Sequence, residues 1–226
     1  MTSGALQSRG AATGALAGPQ SGTTAQVLAS RLFAGPTQYP PHDFAAYGIL
    51  AFKTRATSDD TPRYEMICNA YVTGLLHVSD VKVLLKYQMV TVWPIESDSQ
   101  ATRINKMPRE SLCPEAVRRY GLPISLEAIQ SARRSGARFD DTGPYLLAWS
   151  PSETKGQPDA LVLVSDLSDV TTSEQAKQIF FDWFSKIQEN PELWRPGWDI
   201  AKLKVIIRLW ADKYGEKLLK IVGVKS

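Results

Sequence analysis

The chain has 226 residues, of which 43% are hydrophobic and 22% are charged, and its formal net charge is +3. This composition is typical of a folded globular protein and excludes disorder of the whole chain. No stretch approaches the roughly 18 consecutive apolar residues that a membrane span requires. Two cysteines are too few for a disulfide framework or for a zinc cluster made of four thiolates.

The beginning of the chain differs in composition from the rest. Its first 30 residues are rich in Gly, Ala, Ser and Thr, and Arg9 is their only charged residue. Such a segment buries too little apolar area to offset its ordering entropy, so we expect a flexible tail rather than a secretory signal. Three prolines and a glycine within residues 31–45 indicate an extended lead-in. We therefore predict a tail and lead-in over residues 1–39 and a single domain over residues 40–226.

The first half of this domain shows strand and helix patterns in turn. The short apolar run at 47–52 predicts a strand, and Thr61 followed by Pro62 predicts the start of a helix that ends near residue 76. A second strand is predicted at 88–95, where both faces are largely apolar. Residues 81–85 fit either a strand or a loop. Basic helical sequence over 114–134 is divided near Gly121, with Ser125 as the predicted cap of its second helix.

Two continuous apolar runs follow, at 145–149 and 161–164, with a polar loop between them. They predict a hairpin of central strands that needs a covering layer on each face. A capping box of Thr171 and Glu174 predicts the next helix, and spacings of three and four predict a last helix over 200–222. The order predicts an α/β fold, with a mixed sheet of four or five strands and helices on both faces.

Several motifs are weak candidates for chemistry. Asp141-Thr-Gly143 matches the tripeptide of aspartic proteases, but one copy is better explained as a turn. Cys68 falls on the apolar stripe of its predicted helix, which favours an inert core thiol over a nucleophile. Cys113 precedes Pro114, and we expect it to be more exposed; a disulfide between the two cysteines is possible, but nothing in the sequence supports it. His42 and His77 lie 35 residues apart, so a histidine metal site is not favoured.

One acidic loop carries the alternative hypothesis of an enzyme. Asp166 and Asp169 follow an apolar strand and precede a capped helix, which is where ligands gather in open α/β sheets. Their carboxylates would hold Mg²⁺, with Arg118 or Arg119 clamping an anionic substrate in metal-assisted hydrolysis or phosphoryl transfer. The competing interpretation is that both aspartates end the strand and favour the start of the helix through its dipole.

The basic segments carry the main hypothesis, a non-catalytic binding or scaffolding protein without a cofactor. Residues 101–138 hold eight basic and three acidic side chains, with arginine pairs at Arg118–Arg119 and Arg133–Arg134. Trp194 and Trp198 lie in a connection that also contains proline and glycine, where tryptophans either lock two helices or act as binding anchors. The sequence predicts a macromolecular partner, an acidic protein rather than a nucleic acid. We expect the protein in the cytosol, with an organelle as the alternative because the N-terminal segment lacks acidic residues.

Overall fold

The computed structural model describes residues 28–140, 142–157, 160–189 and 219–222, together with the helical residues Ala201 and Val205. These residues form seven strands and five helices of at least seven residues. In chain order the elements are β1 Leu28–Ala34, β2 Ala46–Ala51, α1 Thr61–Gly74, β3 Leu76–His77, β4 Gln88–Pro94, α2 Asp98–Ile104, α3 Arg109–Arg118, α4 Leu122–Arg134, β5 Tyr145–Trp149, β6 Val162–Asp166, α5 Ser173–Glu189 and β7 Leu219–Val222.

All seven strands belong to one mixed sheet in the order β3-β1-β4-β2-β5-β6-β7. The first four in this order pair in parallel, and the pairs from β2 onward are antiparallel. The predicted α/β class is confirmed, and so are the four predicted strands. The sheet is larger than the four or five strands predicted, because β1, β3 and β7 add to it.

Helices cover both faces of the sheet, as the apolar runs predicted. Residues of α1, α3 and α5 join the core on one face, and residues of α4 join the core on the other. Leu146 and Leu147 are consecutive in β5 and pack into opposite cores, since side chains alternate along a strand. The burial of this strand on both faces is therefore confirmed.

The first described strand lies earlier than the sequence indicated, and the part of the predicted tail before residue 28 lies outside the described residues. Residues 28–34 were expected in the tail and lead-in, but they form β1, which pairs with β4 along its whole length. Ala29 and Phe33 are fully buried in the sheet. The neighbour of β1 on one side is β4, and on the other side β3 pairs only with Ser30 and Arg31. The prolines that suggested a lead-in come only after Ala34.

Three predicted helix starts are shifted, and the first is that of α3, which begins at Arg109 rather than at residue 114. Helix α4 begins at Leu122, so Ser125 is not its cap; its buried hydroxyl donates to the carbonyl oxygen of Phe52 at 2.6 Å. At α5, Thr172 takes the capping role predicted for Thr171, because its Oγ1 accepts from the N–H of Gln175 at 3.2 Å. The Gln175 side chain in turn accepts from the backbone N–H groups before the helix, which makes a capping box one residue further on.

The last predicted helix is wrong at its end. Residues 219–222 form β7, which pairs antiparallel with β6. Ala201 and Val205 are helical, and the rest of that predicted helix lies outside the described residues. Without β7, one edge of β6 would have no strand partner, and the backbone of Leu219–Val222 pairs with it. Periodicity along the chain does not reveal such an edge.

Cys68 and Cys113 form a disulfide between α1 and α3, with Cα atoms 5.6 Å apart. Both residues are buried, which corrects the expectations of a free Cys68 thiol and a more exposed Cys113. The two helices are neighbours on one face of the sheet. A sequence separation of 45 residues gave no indication of this contact. None of the described helices is long and apolar enough to cross a membrane.

Candidate functional site

A cavity of about 520 Å³ lies beside the β3 edge of the sheet. Its lining comes from β1, β3, α1, α2 and α3 and from the loops that follow β3 and α2. The lining side chains belong to Arg31, Leu32, Val72, His77, Ser79, Asp80, Thr102, Asn105, Lys106, Met107, Arg109 and Leu112. Its size is within the range typical of small-molecule sites in proteins.

The cavity exists because β3 is much shorter than β1. Strand β3 pairs only with Ser30 and Arg31, which leaves the rest of the outer edge of β1 without a strand partner. Asn105 takes that place beside Phe33: its Oδ1 accepts from the Phe33 N–H at 3.1 Å, and its Nδ2 donates to the Phe33 carbonyl at 2.8 Å. This side chain fixes the segment between α2 and α3 against the sheet and so shapes one wall of the cavity.

Arg31 is the main cationic group of the site. Its Nε donates to the Leu75 carbonyl at 3.0 Å, and its guanidinium carbon lies 5.8 Å from the centre of the Phe33 ring. Burial lowers the pKa of Arg31, but a guanidinium stays protonated at any physiological pH. Its Nη1 is buried and has no hydrogen-bond partner within the described part of the chain. One charged donor of the planar guanidinium group therefore has no hydrogen-bond acceptor among those residues.

His77 provides a second unused donor. Its Nδ1 accepts from the Ser79 backbone N–H at 3.3 Å and lies 2.8 Å from the Ser79 hydroxyl. A backbone N–H can only donate, so the neutral ring carries its proton on Nε2. This Nε2 is buried and makes no hydrogen bond of good geometry among the residues that the structure describes, although the Asn105 side chain is near enough to raise the pKa of the ring.

Burial and the nearby Arg31 guanidinium lower the pKa of His77, while Asn105 and Asp80 oppose the shift. We therefore expect a neutral imidazole at neutral pH in the free protein.

The cavity lining is positively charged overall. Arg31, Lys106 and Arg109 face a single acidic lining residue, Asp80. Arg109 also donates to the hydroxyl of Thr73, which anchors its guanidinium beside α1. A concave surface with excess positive charge and buried N–H donors favours carboxylate, sulfate or phosphate groups. The site can therefore bind an anion by charge and by directed hydrogen bonds together.

The arginines predicted as partner-binding residues lie elsewhere. Arg118 pairs with the buried Glu115, and Arg119 pairs with Glu96 at 2.8 Å and with Glu115 at 3.5 Å. Arg103 and Arg55 join the same network, which holds four arginines around two glutamates. The hydrogen bond from Arg118 holds the pKa of Glu115 below its usual range, although burial opposes this.

The second predicted arginine pair belongs to another part of the surface. Arg134 donates to the hydroxyl of Ser131 at 3.0 Å, and the Arg133 guanidinium lies 5.8 Å from the Phe139 ring centre. Both are on α4, which covers the opposite face of the sheet from α3. The structure therefore does not bring the two predicted pairs into one patch. Trp194 and Trp198 lie outside the described residues.

The acidic loop after β6 forms a turn. The Oδ1 of Asp166 accepts from the Ser168 N–H at 2.9 Å, and Arg63 donates to the carbonyl oxygens of Leu167 and Ser168. No cluster of three or more His, Cys, Asp or Glu that could hold a metal occurs in the described ranges. These contacts favour a structural role for Asp166, and magnesium binding by Asp166 and Asp169 stays a prediction.

No family model, no curated protein and no solved structure matches this chain at a significant level.

The sequence analysis missed the cavity, although part of its lining gave a signal. Arg31 is a charged residue inside an otherwise apolar and small-residue strand, and such a residue needs a partner once it is buried. Lys106 and Arg109 belong to the basic segment already identified at 101–138. His77 and Asn105 gave no signal, because their roles depend on how β3 and α2 meet β1.

Proposed function

We propose that the protein is a non-catalytic binding protein whose cavity beside β1, β3 and α3 takes up a small anionic ligand. The observation that carries this proposal is the pair of buried donors, Arg31 Nη1 and His77 Nε2, which lack partners in the described part of the chain. An unsatisfied buried donor costs about 1–3 kcal/mol, and more where the group is charged. A small shift of the two side chains would bring both donors to an anion bound in the cavity, and the anion would then remove that cost.

A catalytic role for the same cavity has less support. Ser79 and His77 form a hydroxyl–imidazole contact at 2.8 Å, which is the distance of a nucleophile and its base. However, the Ser79 backbone N–H points at the same imidazole nitrogen, as in a local turn of two residues. A fluorophosphonate probe is expected to leave Ser79 unlabelled. Stoichiometric labelling that is lost in Ser79→Ala would favour a hydrolase instead.

Thermal unfolding with a panel of anions tests the binding proposal. Sulfate, phosphate, benzoate and citrate are each added to the full chain, and choline serves as a cationic control. At 100 times its dissociation constant a ligand adds about 2.7 kcal/mol to the free energy of unfolding. We expect at least one anion to raise the Tm, and choline to have no effect.

Two lysines supply a matched pair of variants. Lys106 lines the cavity, whereas Lys82 is exposed and is not part of its lining. Lys106→Gln is expected to weaken anion binding several-fold, and Lys82→Gln to leave it unchanged. Arg31→Lys keeps the charge but removes the planar fork, so it should weaken binding further. The absence of any anion-dependent shift, or an equal effect of both lysine variants, would contradict the proposal.

The sequence also predicted a macromolecular partner, and this second proposal is supported by a different part of the surface. The side chains of Arg103 and Arg118 are 53% and 63% exposed, and their network holds two more positive than negative charges. An acidic protein surface would complement that excess. Charge reversal by Arg118→Glu should abolish capture of such a partner, while the anion affinity of the cavity stays unchanged.

The compartment is also a proposal. The sequence predicted the cytosol, whereas the buried Cys68–Cys113 disulfide favours an oxidising environment, since structural disulfides are rare in reducing compartments. Alkylation of the protein in freshly lysed cells, under denaturing conditions without reductant and followed by mass measurement, distinguishes the two. Alkylation of both cysteines would favour the cytosol.

A further inference from the structure

We propose that the anion is organic, with its charged group at Arg31 and His77 and an apolar body against Val72, Met107 and Leu112. This inference rests on the proposed function and specifies the class of ligand. Organic sulfonates, organic carboxylates and phosphate esters share the required chemistry, namely a compact anionic group attached to an apolar chain or ring.

The volume of the cavity is the first argument. About 520 Å³ is many times the roughly 30 Å³ that one water occupies in the liquid. An inorganic anion of four or five heavy atoms would occupy only a small part of that space. Cavities of several hundred Å³ typically bury most of a drug-sized molecule.

The lining is the second argument. Val72 and Leu112 are 8% and 4% exposed, and the partly buried Met107 packs against the same hydrophobic core. These residues come from α1, α3 and the segment between α2 and α3, whereas the unused donors come from the sheet edge. An inorganic ion would leave the small apolar surface that these residues still expose, chiefly that of the partly buried Met107, in contact with water, and an apolar ligand body would cover it.

The third argument is that the apolar wall is held in place. The Cys68–Cys113 disulfide joins α1 and α3. Val72 lies one helical turn after Cys68, and Leu112 immediately precedes Cys113. A wall built on two covalently joined helices keeps its shape without ligand, so binding needs little reorganisation.

A series of alkylsulfonates tests the inference, because a sulfonate keeps its charge across the working pH range. Calorimetry compares sulfate, methanesulfonate, butanesulfonate and hexanesulfonate, with butylammonium as a control that has the tail and the opposite charge. We expect affinity to rise up to about fourfold for each methylene that is buried. Sulfate should bind weakest among the anions, and butylammonium should not bind.

Two methionines provide the matched variants. Met107 lines the cavity, whereas Met66 on α1 does not, although both are partly buried against the same core. Met107→Ser should reduce the gain in affinity with chain length, and Met66→Ser should preserve it. Equal binding of all four anions would overturn this inference and leave the proposed function standing. No binding by any sulfonate, sulfate or carboxylate would overturn both.

Discussion

Removal of the Cys68–Cys113 disulfide is predicted to destabilise the protein strongly. The bridge closes a loop of 45 residues in the unfolded chain. The loop-entropy relation gives about 13 cal/mol/K for a loop of that length, which is about 4 kcal/mol at 25 °C. Because a typical domain has only about 5–15 kcal/mol of stability, this loss leaves a marginal fold.

Urea unfolding of the wild type with and without reductant measures the effect, and Cys68→Ala/Cys113→Ala checks it without reductant. We expect the midpoint to fall in both cases. The single variant Cys68→Ala should lose nearly as much as the double variant, because either substitution opens the loop. Equal midpoints with and without reductant, together with two free thiols in the unfolded unreduced protein, would refute the disulfide and the argument for a fixed cavity wall.

Three further predictions concern charged groups. The affinity for hexanesulfonate should rise as pH falls from 8 to 5, because protonation of His77 adds a positive charge to the site. Calorimetry should show no such rise in His77→Gln. An affinity of the wild type that does not change with pH would contradict the role of this ring. Arginine partners lower the pKa of Glu115, so its stabilising contribution is present above the unfolded pKa and lost as pH falls through the folded value. The Tm difference between wild type and Glu115→Gln should therefore shrink between pH 6 and 3, and a constant difference would show that the ion pairs do not contribute. Arg31→Met should abolish anion binding. It should change the free energy of unfolding by less than about 1 kcal/mol, since it also removes an unsatisfied donor. A decrease of more than about 2 kcal/mol in the free energy of unfolding, measured in urea, would show that the guanidinium stabilises the fold.

Much of the fold follows from local patterns. The sequences of β2, β4, β5 and β6 are largely apolar, α1 and α5 show apolar spacings, and the basic sequence at 114–134 indicates α4 and the end of α3. The division between α3 and α4 at Gly121 was predicted correctly. A glycine suits this position because a Cβ there would lie 2.8 Å from the backbone of Ile95. These features depend on a few neighbouring residues, which is why sequence alone predicts them.

The three missed strands depend on pairing between distant segments. Strand β1 has no strong apolar run, and its partner β4 lies about 60 residues further along the chain. Strand β7 continues a helical spacing and becomes a strand beside β6. Strand β3 has two residues, too few for any periodicity. Pairing of this kind follows from the tertiary structure, so periodicity and composition give no reliable signal for it.

The candidate site is harder to predict than the fold for a related reason. Its donors come from Arg31 and His77, and its shape depends on the side chain of Asn105 beside Phe33. An arginine in β1 conflicts with the local rule that a strand between two cores is apolar, and the surrounding contacts satisfy only part of its guanidinium. Conflicts of this kind concentrate at binding sites, because stability is given up there for recognition. Arg31 is therefore the position where the sequence most directly indicates a ligand.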